Sequence, residues 1–174
     1  MKKLLIISIL LALTGLVACE DKANQQQVFD FSNQQPSAEI KQLEAIIAKN
    51  PGDLNSLSYL ADLYFEAGQY NEALQVYDKA IAVDPACADC FNDRGLALFY
   101  LGDATAALES FDTAVALKPG FTQAWLSKGF VLTSEGRYQE AIAPLNRVKE
   151  LDSTGVLAQQ ADKYLAEAAG KNLP

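Results

Sequence analysis

The 174-residue sequence contains no histidine. That removes imidazole general bases, Ser-His-Asp triads and histidine metal ligands together. Basic side chains are also in short supply, with 14 lysines and arginines against 22 acids and a net charge of −8. No basic run offsets that balance, so a phosphate backbone would be repelled and no nucleic-acid partner is expected. A membrane-spanning stretch is missing too. The apolar run from Leu4 to Val17 is broken by Ser8, Thr14 and Gly15 and is shorter than the ~20 residues a span needs. Carboxylates such as Asp62, Glu66, Asp89 and Asp93 look like solvated helix faces rather than an acid/base pair. No enzyme, metal or cofactor is therefore expected. Half of the chain is apolar, enough for one domain with a sizeable core plus a leader.

What the sequence does have is a repeat of 34 residues. Pro51, Pro85 and Pro119 share that step, as do Gly68, Gly102 and Gly136, and Ala73, Ala107 and Ala141. So do Leu57/Phe91/Trp125, Ala61/Gly95/Gly129, Tyr64/Leu98/Leu132, Tyr77/Phe111/Leu145 and Ala80/Ala114/Val148. A fixed period of this length indicates stacked helical hairpins. Ala61, Gly95 and Gly129 are small where the two helices of a hairpin cross, and position 129 should tolerate only Gly, Ala or Ser. Gly68, Gly102 and Gly136 stand where the chain turns and a left-handed backbone is often required. Leu57, Phe91 and Trp125 fill the space between neighbouring hairpins.

The organisation follows from this register. Residues 1–18 form a leader, with Lys2 and Lys3 before the apolar run. Its end, Leu16-Val17-Ala18-Cys19, resembles a bacterial lipobox. The resemblance implies a diacylglyceryl group on Cys19, cleavage before it, and a mature protein held at the periplasmic face of the inner or outer membrane by lipid alone. Two or more acyl chains anchor firmly where one does not. Losing the leader's two lysines takes the net charge from −8 to about −10. Residues 19–37 are a polar linker, rich in Gln and Asn. Within it, Val28-Phe29-Asp30-Phe31 is either tucked against the domain or a docking peptide.

Residues 38–53 read as a degenerate half repeat whose helix stops at Pro51-Gly52. Three hairpin repeats occupy 54–87, 88–121 and 122–155. Their helices are expected at about Leu54–Glu66 and Asn71–Ala82, Ala88–Tyr100 and Thr105–Ala116, and Thr122–Ser134 and Tyr138–Glu150. A half-polar capping helix, about Gly155–Ala169, closes the stack within 156–174 and is stopped by Gly170.

This register closely resembles the tetratricopeptide repeat family over residues 38–169. The resemblance implies an all-α fold, an α-α superhelix (solenoid) whose first helices line a concave groove for a protein or peptide. It implies no catalysis. Pro144, inside the last hairpin, departs from the pattern and should kink its helix. Arg94 and Lys128 replace Leu60 and should bury their stems while keeping the charge in water. Some members of the family clamp terminal carboxylates with lysines, asparagines and an arginine. The matching positions here are Ser58, Asp62, Asp93, Gln123 and Ser127, two of them of the wrong sign, so that ligand class is set aside.

Cys87-Ala88-Asp89-Cys90 begins the second hairpin. Three readings stay open: a local disulfide, as two near cysteines in an exported protein form; free thiols; or a redox or metal site. Haem attachment would need histidine where Phe91 stands, and no thioredoxin-like strand pattern surrounds the pair.

Placing the first helices on the 34-residue step brings four rows across the groove: Asp62/Leu96/Phe130, Phe65/Phe99/Thr133, Ser58/Asn92/Leu126 and Asn55/Asp89/Gln123. The centre is apolar through Phe65, Leu96, Phe99, Leu126 and Phe130. Asn55, Asn92 and Gln123 would bond a peptide backbone, and Asp62 and Asp89 would favour basic residues in it. The alternative is that these rings only pack between hairpins, or that Phe29 and Phe31 of the tether cover them. The chain thus reads as an envelope scaffold that binds a protein or peptide in assembling an envelope complex. A c-type cytochrome assembly factor and a thiol-disulfide protein are the rival readings.

Overall fold

A computed structural model describes residues 38–171. Cys19 and the Val28–Phe31 patch lie outside the described residues. The elements in order are α1 (Ala38–Lys49), α2 (Leu54–Glu66), α3 (Tyr70–Val83), α4 (Ala88–Tyr100), α5 (Ala104–Leu117), α6 (Thr122–Ser134), α7 (Tyr138–Leu151) and α8 (Val156–Lys171). The fold is an all-α superhelix of hairpins. Three hairpins, α2–α3, α4–α5 and α6–α7, stand between the half repeat α1 and the end helix α8.

Each hairpin turns by the same backbone device. Gly68, Gly102 and Gly136 have φ of 73°, 88° and 71°. The next residue then reaches back to close the turn: Gln69 N–H donates to Tyr64 O at 2.8 Å, Asp103 to Leu98 at 3.0 Å and Arg137 to Leu132 at 2.8 Å. This left-handed cap satisfies the last carbonyls of the first helix. Asp103 then caps α5 by accepting the Ala106 amide at 2.9 Å, which starts that helix at Ala104, a residue earlier than the sequence suggests.

Small residues at the hairpin crossing hold the two helices close. A Cβ at Gly95 would lie 2.6 Å from Phe111, and one at Gly129 would press closer still on Leu145. Phe111 and Leu145 are fully buried and have little room to give. Position 129 is thus stricter than expected, since alanine itself would crowd Leu145. Tyr77, the counterpart of both in the first hairpin, is buried as well.

The layers explain the curvature. The first helices touch in series, α2 on α4, α4 on α6 and α6 on α8, whereas α3, α5 and α7 do not pack on one another. Close approach on one side and splay on the other bends the stack toward the first helices. The outer gap between α5 and α7 leaves a cavity of about 540 Å³ beside Trp125, Lys128 and Pro144. Lys128 bonds Asp112, and Arg94 donates to Asp78 and Ser110 at 2.7 Å each, so both cations serve the outer layer.

α7 runs as one continuous helix through Pro144, whose ring is buried. One expectation at the C-terminal end needs correction. Gly170 does not stop α8, which continues to Lys171. A glycine in an exposed last turn costs only about 1 kcal/mol of helix propensity, too little to end the helix by itself.

Candidate functional site

Six aromatic rings form a belt along the inner side of the stack. Phe65 lies edge-on to Tyr70 at 5.3 Å and to Tyr100 at 5.5 Å, and Tyr70 stacks on Tyr100 at 4.9 Å. Phe99 continues from Tyr100 at 5.7 Å to Phe130 at 5.3 Å, and Phe130 meets Tyr164 of α8 at 5.6 Å. Centroid distances in this range are favourable for ring pairs. The rings rest partly on the cores beneath them, in keeping with the alternative reading, yet the belt is not closed over. Tyr100 keeps 52% of its surface exposed.

Two hollows flank the belt. The first, about 330 Å³, is lined by Asp62, Phe65 and Glu66 of α2, Tyr77 of α3, and Asp93 and Leu96 of α4. The second, about 240 Å³, lies between α4, α6 and α8. Leu96, Tyr100, Gln123 and Phe130 line it, with Gln160 and Tyr164 from the end helix. The structure therefore brings Asp62, Phe65, Leu96, Gln123, Leu126 and Phe130 to one surface, in the rows that the 34-residue step gives. Phe99 lines neither hollow and joins the two halves of the belt.

Other expected residues stand elsewhere. Asn55 is exposed and borders neither hollow. Asn92 is not a rim amide: it is only 2% exposed, since its face of α4 is covered where the first helices approach one another. Leu126 lines the second hollow but is itself buried in the core. Asp89 pairs with Lys118 at 3.7 Å, which blunts its attraction for a basic ligand.

The electrostatics of the first hollow are one-sided. Tyr77 donates its hydroxyl to Asp62 Oδ1 at 2.7 Å. Burial first, and then that bond, hold the Tyr77 hydroxyl far above its usual pKa. Asn92 Nδ2 donates to Asp93 Oδ1 at 2.9 Å. Burial pushes the Asp93 carboxyl up to about 6; the Asn92 bond opposes this, and the charges of Asp62 and Asp89 add to it. Among the described residues, no cation stands within ion-pair distance of Asp62, Glu66 or Asp93.

Cys87 and Cys90 are joined as a disulfide at the start of α4. Cys87 Sγ also accepts the Cys90 amide at 3.1 Å, in the capping position. Cys90 is buried, 3.6 Å from Ser58 Oγ of α2. No group of three His, Cys, Asp or Glu side chains among the described residues is set to hold a metal ion.

Several site residues escape a reading by repeat alone. Tyr100 and Tyr70 have no aromatic counterparts in every repeat: Glu66 and Ser134 stand at the positions equivalent to Tyr100, and Ala104 at one of those equivalent to Tyr70. Gln160 and Tyr164 are legible in principle, for they lie 34 residues after Leu126 and Phe130. Extending the rows into α8 finds them.

Fold and groove together define a helical-repeat scaffold whose inner face is open. Family models described as TPR repeat and tetratricopeptide repeat match residues 61–102, 92–156 and 43–75. The chain belongs to the tetratricopeptide repeat family. No protein of curated function matches its sequence. Among solved structures, MamA is similar at 22% identity, covering 76% of this chain and 85% of that one with a TM-score of 0.64. The first tetratricopeptide domain of Spaghetti (RPAP3), bound to the HSP90 peptide SRMEEVD, is 26% identical. It covers 67% of this chain and 90% of that one, with a TM-score of 0.63. The TPR2B domain of yeast Sti1, in its Hsp70 complex, is 20% identical over 68% of this chain and 98% of that one, with a TM-score of 0.66.

Proposed function

We propose that this chain is a lipid-anchored scaffold of the bacterial envelope that captures a protein or peptide in its inner groove during assembly of an envelope complex. The observation that carries the binding reading is the aromatic belt flanked by two open hollows. An apolar centre with a polar rim is the usual anatomy of a protein-binding surface. A domain of similar fold, the first tetratricopeptide domain of Spaghetti (RPAP3), is bound to an HSP90 peptide. The anchor rests on Leu16-Val17-Ala18-Cys19 in the sequence.

Crosslinking in intact cells, followed by mass spectrometry, identifies the partner. Phe130→Ala and Tyr100→Ala should then weaken its capture by on the order of 1–3 kcal/mol each, with unchanged helicity by circular dichroism. Tyr100 is the safer variant because half of it is already in solvent. Normal capture by both folded variants would refute the groove. In the same cells, Cys19→Ala should leave the membrane fraction or remain unprocessed. Unchanged size and membrane retention would remove the anchor.

A second reading, a thiol-disulfide protein using Cys87 and Cys90, rests on the pair at the head of α4, although Cys90 is buried as in a structural bridge. Redox titration of the pair separates the two. A structural bridge resists reduction by the glutathione pool, whereas a catalytic one exchanges with it.

A further inference from the structure

The first hollow contains an imbalance that the fold does not resolve. Asp62, Glu66 and Asp93 converge on it from two helices, and no lysine or arginine among the described residues answers them. Arg94 follows Asp93 in sequence yet turns outward to Asp78 and Ser110. Beside Asp93 lies a second deficit. Asn92 is buried, its amide nitrogen is committed to Asp93, and its Oδ1 has no hydrogen-bond partner. A buried acceptor left without a donor keeps its full desolvation cost, but Asn92 does not line the hollow, so the demand for a cationic donor there is that of the three carboxylates.

The other walls are Phe65, Tyr77 and Leu96. We propose that this hollow is the specificity subsite of the groove and takes an arginine side chain of the bound peptide. The apolar walls receive the methylene stem, with the guanidinium facing the three carboxylates. Arginine suits the site better than lysine. Its planar fork of five donors reaches more than one carboxylate at once, and its face stacks on an aromatic ring such as Phe65. The subsite has the opposite sign to one for an acidic peptide. SRMEEVD, held by the Spaghetti (RPAP3) domain, carries three acids that this hollow would repel. The inference rests on the groove being the binding face.

The test is a selection of phage-displayed random peptides on the full chain, with the groove confirmed by competition and by Tyr100→Ala. The expected binders share an arginine at one position. Resynthesis with citrulline there, which keeps the shape and removes the charge, should weaken binding at least tenfold. Asp93→Asn should cost a similar factor, and combining it with the citrulline peptide should cost little more. Groove-dependent binders that need no arginine, or that bind Asp93→Asn as well as wild type, overturn the subsite and leave the groove standing. A selection that yields only peptides indifferent to Tyr100→Ala overturns both.

Discussion

Asp93 shows in a single side chain what burying a carboxyl costs the fold. Its carboxyl is raised to about 6, chiefly by burial, while the unfolded chain titrates near the ordinary 3.8. The native state therefore holds that proton more tightly than the unfolded state. Below about pH 3 both states are protonated and the residue costs nothing. As pH rises toward 6 and beyond, ionising it in the fold costs stability, by about 1–3 kcal/mol when complete. Asp62 and Glu66 from α2, Tyr77 from α3, and Asp89 with Asn92 on α4 itself surround the group. Asp93→Asn should thus unfold at a higher temperature than wild type near pH ~7.5, and the gap should shrink as pH falls toward ~4. A gap independent of pH would show that the carboxyl is not buried. Gly129 is the opposite case, fixed by shape alone. With Leu145 pressed against the place a Cβ would occupy, Gly129→Leu should overpack the crossing by about 1–3 kcal/mol or more. Thermal melting by circular dichroism indistinguishable from wild type would contradict that packing. The sequence announces Gly129 through its register with Ala61 and Gly95. It cannot announce the burial of Asn92, because the step of the repeat gives the row a residue joins but not how deeply its helix is turned into its neighbours.

Among the elements, α2, α4 and α6 begin and end where the pattern of glycine, proline and apolar spacing places them. Those ends carry strong punctuation: a left-handed glycine closes each, and the turn leaves little freedom. α8 is less legible. Gly170 is exposed in the last described turn of α8, and its weak propensity does not end the helix there. Its inner face, Gln160 and Tyr164, shows that the end helix does more than cover the core, since it lengthens the groove by one row. The disulfide is an element-scale feature as well. It links the capping residue of α4 to the first buried turn and closes a loop of only a few residues, which constrains the unfolded chain little in the entropy model. Replacing both Cys87 and Cys90 by Ser should leave partner capture intact, with a modest fall in melting temperature. A double variant that folds and melts normally but loses its role in the cell would favour the thiol-disulfide reading.

Across the whole molecule, contact among the first helices and splay among the second set the curvature, and the curvature sets the face that is offered to a partner. The outer face is poor in unmet demands: its cations pair with Asp112, Glu140 and Glu150 beside the cavity between α5 and α7. The inner face keeps exposed rings and uncompensated carboxylates. The central claim, that the partner lies along the inner face, is tested most directly by a photo-crosslinking residue placed in the intact protein in cells. One copy would carry it at Tyr100, another at Gln123, and a third at Glu109 on the exposed side of α5. The expected result is one shared adduct from Tyr100 and Gln123 and none from Glu109. An adduct from Glu109, with none from either inner position, would contradict it.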